Sequence, residues 1–268
     1  MQQTRYESVD WESIVAGGRA LFQAMPHRAM QRPVPSLMSR VRSLPPIERW
    51  SLANAVAVLL AAVGALWLWT LAPLFLVGGV MLGLLVVIKR GRWTPKDSFG
   101  AANVVTAARI GLLGLLLPAA SVHPAALIAL SLLILALDGL DGWLARRRGL
   151  SSEFGAFFDK ESDALFLLLL CGIAAVQGPL PAWILGAGLL RYGFVVLVFL
   201  LPTPQNRETR STLARYAYGC MVCALLLSFL PYPGLYRPVV AVASAALVTS
   251  FGQSLWGIVA PQWAFGEP

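Results

Sequence analysis

Charged residues are scarce in this 268-residue chain. Only 13% of its residues are Asp, Glu, Lys or Arg, whereas 57% are hydrophobic. A soluble domain of this size carries about twice that charged fraction, so the composition excludes an ordinary soluble domain. Apolar runs of about 18 residues, the length that crosses a bilayer, recur along most of the sequence. We predict an all-α, polytopic membrane protein.

Cysteine is almost absent as well. Cys171, Cys220 and Cys223 all fall inside apolar runs, and they define no disulfide framework. The Cys220 and Cys223 pair lacks the partner ligands of a zinc site. We therefore interpret the three cysteines as buried small hydrophobic residues. The sequence opens without a recognisable secretory signal, so we expect the first apolar run to be a retained helix.

The formal charge of +8 does not indicate a nucleic-acid partner. The Lys and Arg residues lie almost entirely between apolar runs, where they orient helices in a membrane. Binding of nucleic acid would require a basic stripe on a water-facing domain, and the sequence contains none. We expect membrane lipids, and no nucleic acid, as partners.

Eight apolar runs predict eight membrane-spanning helices. They cover residues 52–70, 74–88, 104–117, 125–144, 157–176, 183–201, 213–230 and 238–259, with the third closed by Pro118. We predict three regions. Residues 1–50 form a cytosolic extension, either resting on the membrane surface or poorly ordered; residues 51–93 add a transmembrane hairpin; residues 94–268 form a six-helix unit.

The basic residues also predict an orientation. Connections 89–102, 145–156 and 202–212 hold most of the Lys and Arg outside the extension, and the four opposite connections hold only Arg237. The positive-inside rule then places both chain ends and the basic connections in the cytosol. We expect an integral protein of a bacterial inner membrane.

Acidic residues are concentrated in one short segment. Six of the 13 acidic residues lie between Asp138 and Asp163. Asp138 and Asp141 end the fourth predicted span at i,i+3, and Asp159 and Asp163 begin the fifth at i,i+4, so each pair shares a helix face. The two helices are predicted to be antiparallel neighbours. Four carboxylates can therefore converge at the cytosolic side of the membrane.

Four converging carboxylates repel one another, and a divalent cation removes that penalty. Ligation by oxygen alone suits Mg²⁺ or Mn²⁺, and two such ions could clamp a diphosphate. Neighbouring residues fit a phosphate site: Gly142 and Gly155 permit close approach, Ala145 is small, and Arg146 offers a donor fork to phosphate. The alternative is a structural network in which the acids cap helices or pair with Arg146 and the following arginines.

These residues make the segment resemble a known signature. It matches D-x2-D-G-x2-A-R-x8-G-x3-D-x3-D, the signature of the CDP-alcohol phosphotransferase family, at all eight fixed positions over 26 residues. The resemblance extends to the hydrophobic layout of about residues 94–260, and it implies a six-helix core. It also implies that an acceptor hydroxyl attacks the phosphate of a CDP-linked donor and that CMP is released, and homodimers are typical of the family.

The resemblance assigns roles to individual residues. It implies that the first three aspartates are metal ligands and that Asp163 is both a ligand and the general base. It implies that the cytidine diphosphate is surrounded by Gly142, Ala145, Arg146 and Gly155. The donor is expected to be CDP-diacylglycerol, although a CDP-linked headgroup that reacts with diacylglycerol uses the same motif. The acceptor stays open among glycerol phosphate, an inositol phosphate, serine and other alcohols.

Two further groups of polar residues are candidates. Asn103, Thr106 and Arg109 lie roughly on one face of a helix and resemble the family's polar start of the first core helix, which contributes to the nucleotide pocket. The alternatives are that Asn103 is only an N-cap and that Arg109 only snorkels.

A second candidate group is basic. Arg191 lies near the middle of the sixth span, where an arginine usually faces an interior cavity. With Arg207, Arg210 and Arg215 it is a candidate for binding the acceptor or donor phosphate. The alternatives are that Arg191 pairs with an Asp or a backbone carbonyl, and that the other three only orient the helices.

Two other functions use carboxylates in a membrane. An intramembrane, Mg²⁺-dependent prenyltransferase has two Asp-rich motifs far apart in sequence, whereas the four aspartates here share one segment; release of free diphosphate would identify it. A divalent-cation transporter places its site near the midplane on broken helices, whereas these acids lie at helix ends; metal uptake without release of CMP would identify it.

Overall fold

The computed structural model describes residues 36–148, 152–201 and 212–259, and this part of the chain is helical. Its ten helices are α1 (Leu37–Ser43), α2 (Pro46–Leu68), α3 (Ala72–Ile88), α4 (Ala101–Leu113), α5 (Leu116–Val122), α6 (Pro124–Arg148), α7 (Glu153–Val176), α8 (Ile184–Leu200), α9 (Thr212–Ser228) and α10 (Pro233–Val259). The prediction of an all-α protein is confirmed for the described residues.

The chain divides into two compact units, Met1–Pro45 and Pro46–Pro268. In the first unit the short helix α1 begins after Ser36, whose hydroxyl accepts the N–H of Ser39 at 3.3 Å. Residues 1–35 lie outside the described part of the chain, so the character of the N-terminal extension stays a prediction. The second unit begins with Pro46 at the first position of α2, where a proline has no helical hydrogen bond to lose.

The described helices indicate an integral membrane protein. Helices α2, α6 and α10 are long and apolar enough to cross a membrane, and the bent pair of α4 and α5 makes a fourth candidate. Helices α3, α8 and α9 are apolar but shorter. Each of the eight apolar runs coincides with a helix or with the bent pair. Length and composition support three or four spans among the described helices, so the count of eight stays a prediction.

The third apolar run is not one straight helix that Pro118 closes. Helix α4 ends at Leu113, and α5 continues at 43° to it. Pro118 is the third residue of α5, where the backbone N–H has no helical partner to lose. The bend lies at Gly114, where an added Cβ would come within 2.8 Å of Phe75 Cζ on α3. A side chain at Gly114 would therefore require the Phe75 ring of α3 to move.

Helix α7 is the central helix of the second unit. All residues from Ala164 to Ala174 are buried, and α3, α4, α8 and α9 all pack against it. Helix α8 approaches so closely that a Cβ on Gly188 would lie 2.9 Å from Leu168 Cα. A helical segment that is apolar on every side is expected to be buried, and the segment from Ala164 to Ala174 is buried among these neighbours.

The cysteines divide into two environments. Cys171 on α7 is buried, whereas Cys220 and Cys223 on α9 are exposed. The interpretation of all three as buried is wrong for the latter two. The outer surface of a membrane protein is as apolar as its interior, because lipid tails replace water there. An apolar run therefore does not distinguish residues facing the protein from residues facing lipid.

Aromatic and polar contacts fix the end of the unit that carries the acidic segment. Ser152 caps α7: its hydroxyl accepts the N–H of Gly155 at 3.0 Å and donates to the main-chain oxygen of Trp93 at 2.6 Å. Four rings form a cluster beside this cap, and they belong to Trp93, Phe99, Phe154 and Phe158. The chain just before α4 is thereby fastened to the first turns of α7.

Candidate active site

The four aspartates of the acidic segment meet at the guanidinium of Arg109, whose side chain is 1% exposed. Arg109 Nη1 donates to Asp138 Oδ1 at 2.8 Å, to Asp141 Oδ2 at 3.0 Å and to Asp159 Oδ1 at 2.9 Å. Its Nη2 donates to Asp163 Oδ1. The structure therefore brings together the four carboxylates that sequence spacing had placed on two helix faces. We call this group the aspartate cluster.

Three helices build the aspartate cluster. The last turns of α6 carry Asp138 and Asp141, and the first turns of α7 carry Asp159 and Asp163. Helix α4 packs against both α6 and α7 and inserts Arg109 between them. The sequence predicts that α6 and α7 are direct neighbours. In the structure α4 is the shared packing partner of these two helices.

The carboxylates differ in exposure. The side chain of Asp141 is 5% exposed, whereas those of Asp138, Asp159 and Asp163 are 33%, 41% and 23% exposed. Thr106 also donates its hydroxyl to Asp141 Oδ2 at 2.9 Å. Asp141 therefore lies at the buried end of the cluster, and the other three carboxylates line its accessible side.

The aspartate cluster carries an excess of negative charge. Four carboxylates face one guanidinium, which leaves a formal excess of three negative charges. One carboxylate oxygen from each of Asp138, Asp141 and Asp159 lies within 4.8 Å of the other two. Oxygen donors at this spacing suit a hard divalent cation, and the guanidinium of Arg109 demonstrates that positive charge fits among them. These three aspartates therefore have the spacing to hold a divalent metal if Arg109 Nη1, which lies between them here, is displaced.

The polar face of α4 points into the same site. Gly100, at φ +77°, is the residue that caps α4, so the alternative of Asn103 as an N-cap is wrong. Asn103 instead donates its amide to the main-chain oxygen of Phe99 at 2.6 Å. Arg109 is buried among carboxylates, so the alternative of a snorkelling arginine is wrong as well. The expected contact of Asn103, Thr106 and Arg109 with a nucleotide stays a prediction.

Both glycines of the signature have close polar neighbours. A Cβ on Gly155 would lie 3.1 Å from Asn103 Oδ1 and 3.2 Å from Ser152 Oγ, and a Cβ on Gly142 would lie 3.3 Å from Arg146 Nη1. Ala145 is half-buried and Arg146 is exposed. Gly155 is therefore packed between α4 and the cap of α7, whereas Gly142 meets only the flexible end of one side chain. Their contact with cytidine diphosphate stays a prediction.

The predicted basic group is only partly described. Arg191 on α8 donates to Glu161 Oε1 at 2.8 Å, so it forms the kind of structural ion pair that was the alternative, with Glu as the partner. Arg215 is exposed on α9. Arg207 and Arg210 lie outside the described residues. Binding of a phosphate by these arginines stays a prediction.

Sequence reasoning missed several polar residues that the structure places beside α7. Glu161 is 2% exposed, and it bonds to Ser51 and Asn54 of α2 as well as to Arg191. Tyr218 of α9 donates its hydroxyl to the main-chain oxygen of Asp163 at 3.4 Å. The sequence did contain a signal for Glu161 and Asn54. An acid or an amide inside an apolar run requires a buried polar partner. No spacing rule relates Tyr218 to a residue so distant in sequence.

Comparison with known proteins identifies the family to which the signature belongs. Residues 99–252, more than half of the 268-residue chain, match the family model for CDP-alcohol phosphatidyltransferase. A relative, CDP-diacylglycerol--glycerol-3-phosphate 3-phosphatidyltransferase 2 of Arabidopsis thaliana, is 49% identical over an alignment of 51 residues that covers 16% of this chain and 22% of the relative. The chain thus matches under a quarter of that relative's length. No solved structure matches the chain.

Proposed function

Since this chain belongs to the CDP-alcohol phosphatidyltransferase family, we propose that it transfers a phosphatidyl group from CDP-diacylglycerol to an alcohol in phospholipid synthesis. The observation that carries the proposal is the convergence of all four signature aspartates on Arg109. The acceptor oxygen forms a bond to the phosphatidyl phosphorus. The bond from that phosphorus to the oxygen of the cytidine monophosphate breaks, and CMP leaves with the bonding electrons.

The charge of the aspartate cluster supports a divalent cofactor. We propose that Asp138, Asp141 and Asp159 hold Mg²⁺ or Mn²⁺, and that the full site takes two ions with Asp163 as a further ligand. Such ions, when bound, supply positive charge beside the diphosphate and so stabilise the leaving CMP. The oxygen ligands and the close spacing of the three carboxylates support the fit.

Asp163 is the proposed general base. It lies one turn beyond Asp159 on α7, and its side chain is 23% exposed, so a substrate can reach a carboxylate that the fold also holds in place. The bond from Arg109 orients its carboxylate, and Tyr218 donates to its main-chain oxygen. Asp163 would accept the proton of the acceptor hydroxyl as that oxygen attacks the phosphorus.

The nucleotide is proposed to lie along the ends of α4, α6 and α7. The residues assigned to it are Asn103, Thr106, Arg109, Gly142, Ala145, Arg146 and Gly155. Gly155 keeps Asn103 close to the first turn of α7, because a larger residue there would push against Asn103. Exposed Arg146 can reach phosphate oxygens outside the aspartate cluster. The positive charge of Arg109 would reduce the repulsion between the aspartates and the anionic substrate.

A phosphorylated alcohol is the proposed acceptor. The Arabidopsis relative is named for glycerol 3-phosphate, and arginines near the predicted cytosolic side suit a phosphate. Arg207 and Arg210 are the candidates for binding it. Arg191, which was the third candidate in the sequence, donates its Nη2 to Glu161 instead. We also propose that the protein crosses a bacterial inner membrane eight times and that its active site faces the cytosol. It is further proposed to be a homodimer.

The test is release of CMP by the purified full-length protein. The protein would receive CDP-diacylglycerol, Mg²⁺ or Mn²⁺, and in separate reactions glycerol 3-phosphate, inositol phosphate or serine, with each product identified by mass. We expect CMP only when donor, metal and one acceptor are all present. Free diphosphate from an isoprenoid substrate would instead support a prenyltransferase. Uptake of Mn²⁺ into proteoliposomes without any CMP would support a transporter, and either result would overturn the proposal.

A further inference from the structure

A second group of buried polar residues lies on α7 beside the aspartate cluster. Glu161, only 2% exposed, accepts from Arg191 Nη2 at 2.8 Å, from Asn54 Nδ2 at 3.0 Å and from Ser51 Oγ at 3.4 Å. Arg191 belongs to α8, and Ser51 and Asn54 belong to α2. We call these four residues the Glu161 cluster. Both carboxylate oxygens have donors, as burial of a carboxylate requires.

The two clusters lie on opposite sides of one helix. Glu161 is two positions from both Asp159 and Asp163, and two positions correspond to about 200° around an α-helix. Asp159 and Asp163 face Arg109 on α4, whereas Glu161 faces α2 and α8. Helix α7 is thus held by charged contacts on both sides. A rotation of α7 by one residue would break both sets of contacts.

Helix α2 lies outside the part of the chain that matches the family model, which begins at residue 99. It nevertheless supplies two of the three donors to Glu161, and both are buried, Ser51 at 6% and Asn54 at 2% exposure. The indole of Trp50 on α2 also donates to the main-chain oxygen of Met81 on α3 at 3.0 Å. Helix α3 in turn packs on α7, where a Cβ on Gly78 would lie 2.6 Å from Leu165 Cδ1.

We propose that the Glu161 cluster positions the metal site, and that α2 contributes to metal binding because it supplies Ser51 and Asn54 to that cluster. Glu161, held by Asn54 and Arg191, fixes the rotation of α7 that presents Asp159 and Asp163 to Asp138 and Asp141. These are positioning residues, since they act on the aspartates through the backbone of α7. The inference rests on the proposed function, because it requires the aspartate cluster to bind a divalent cation.

The experiment measures binding of Mn²⁺ to the purified full-length protein, from the electron paramagnetic resonance signal of free Mn²⁺, together with kcat and KM for CMP release. The variants are Glu161→Gln and Asn54→Leu, with Ser51→Ala as a milder change. Ser131→Ala is the matched control, because Ser131 is also a buried serine but its hydroxyl has no partner among the described residues. Helix content and a single gel-filtration peak establish that each variant is folded.

Loss of a group that is hydrogen-bonded directly to a metal ligand typically weakens metal binding by about 10- to 100-fold. Glu161 bonds to none of the aspartates, so the lower end of that range is the largest effect we expect. We expect the dissociation constant for Mn²⁺ to rise by about tenfold in Glu161→Gln, by less in Asn54→Leu, and by a small amount in Ser51→Ala. The value for kcat should fall in the same order. Ser131→Ala should match the wild type in both measurements. If Asn54→Leu does not fold, the pair of Ser51→Ala and Ser131→Ala makes the same comparison.

Two results would overturn the inference. One is unchanged Mn²⁺ affinity and kcat in folded Glu161→Gln and Ser51→Ala, while the wild type binds Mn²⁺ and releases CMP. The other is a higher KM for the acceptor with unchanged Mn²⁺ affinity, which would assign the cluster to substrate binding. A wild-type protein that neither binds Mn²⁺ nor releases CMP would instead contradict the proposed function, so the two failures are distinguishable.

Discussion

The aspartate cluster and the Glu161 cluster use similar groups on opposite sides of α7, but their charges balance differently. Four carboxylates share one guanidinium in the aspartate cluster, and three of the four side chains are 23% to 41% exposed. One carboxylate faces one guanidinium and two neutral donors in the Glu161 cluster, and Glu161 is 2% exposed. The open cluster with excess charge suits binding and chemistry, whereas the closed and balanced cluster suits structure.

The largest expected effect comes from the aspartate cluster. Asp163→Asn removes the proposed proton acceptor while keeping the size of the side chain, so kcat for CMP release should fall by about 100- to 10,000-fold. The helix content measured by circular dichroism should be unchanged. Mn²⁺ should still bind, because Asp138, Asp141 and Asp159 remain. Near-normal turnover in the variant would remove Asp163 from the role of general base.

Arg109→Met tests whether the guanidinium stabilises the metal-free protein by balancing the charge of the four aspartates. Without the guanidinium the metal-free cluster keeps four uncompensated carboxylates, and removing one partner of a buried ion pair costs about 3–5 kcal/mol. We expect the unfolding temperature of the variant to fall in the presence of EDTA and to recover largely with Mn²⁺.

The matched control for that variant is Arg147→Met. Arg147 is exposed near the end of α6 and lies over the ring of Trp143, at 4.9 Å from its centroid. Its loss should lower the unfolding temperature slightly, and by the same amount with and without Mn²⁺. If Arg109→Met also loses equal stability in both conditions, Arg109 does not balance the charge of a cation site.

Glu161→Gln tests the balanced side of the comparison. The amide keeps the shape of the carboxylate but removes the charge that Arg191 faces, so the free energy of unfolding should fall by about 1–3 kcal/mol. Added Mn²⁺ should stabilise the wild type and the variant through the aspartate cluster that both retain, so the deficit of the variant relative to the wild type should persist, in contrast to Arg109→Met. The measurement is thermal unfolding in detergent with EDTA and with Mn²⁺. Full recovery by Mn²⁺ would mean that the two clusters do not differ as proposed.

The smallest effect is expected at the edge of the aspartate cluster. Gly155→Ala places a methyl group against Asn103 Oδ1 and Ser152 Oγ, and because these neighbours need to move only slightly, the cost is about 1 kcal/mol, the lower end for overpacking. We expect a several-fold rise in KM for CDP-diacylglycerol with little change in kcat. Gly139→Ala is the control within the same segment, since an added Cβ there meets nothing within 4 Å. An equal KM for both variants would remove Gly155 from the nucleotide site.

Helix positions and the four aspartates could be predicted from the sequence for one shared reason. Both are local patterns, since apolar runs define helices and i,i+3 or i,i+4 spacing defines a helix face. The family signature is local in the same sense, because all its fixed positions lie between Asp138 and Asp163. Identifying these residues therefore required no knowledge of tertiary contacts, whereas their convergence rested on the further expectation that the two helices are neighbours.

The remaining features depend on tertiary contacts that sequence spacing does not encode. Arg109 was expected at the nucleotide, and its position among all four aspartates follows from the packing of α4 between α6 and α7. Arg191 was expected at a phosphate, and its bond to Glu161 joins helices α7 and α8. Asn54 lies in a run that was predicted as an added hairpin, yet it bonds to Glu161 on the central helix.

The most direct test of the account is a structure of the full-length protein with Mn²⁺, in which anomalous scattering locates the ion. We expect a peak bonded to carboxylate oxygens of Asp138, Asp141 and Asp159, with Arg109 displaced from at least one of them. Mn²⁺ bound elsewhere, with Arg109 still bonded to all four aspartates, would contradict the claim that this cluster is the metal site of the enzyme.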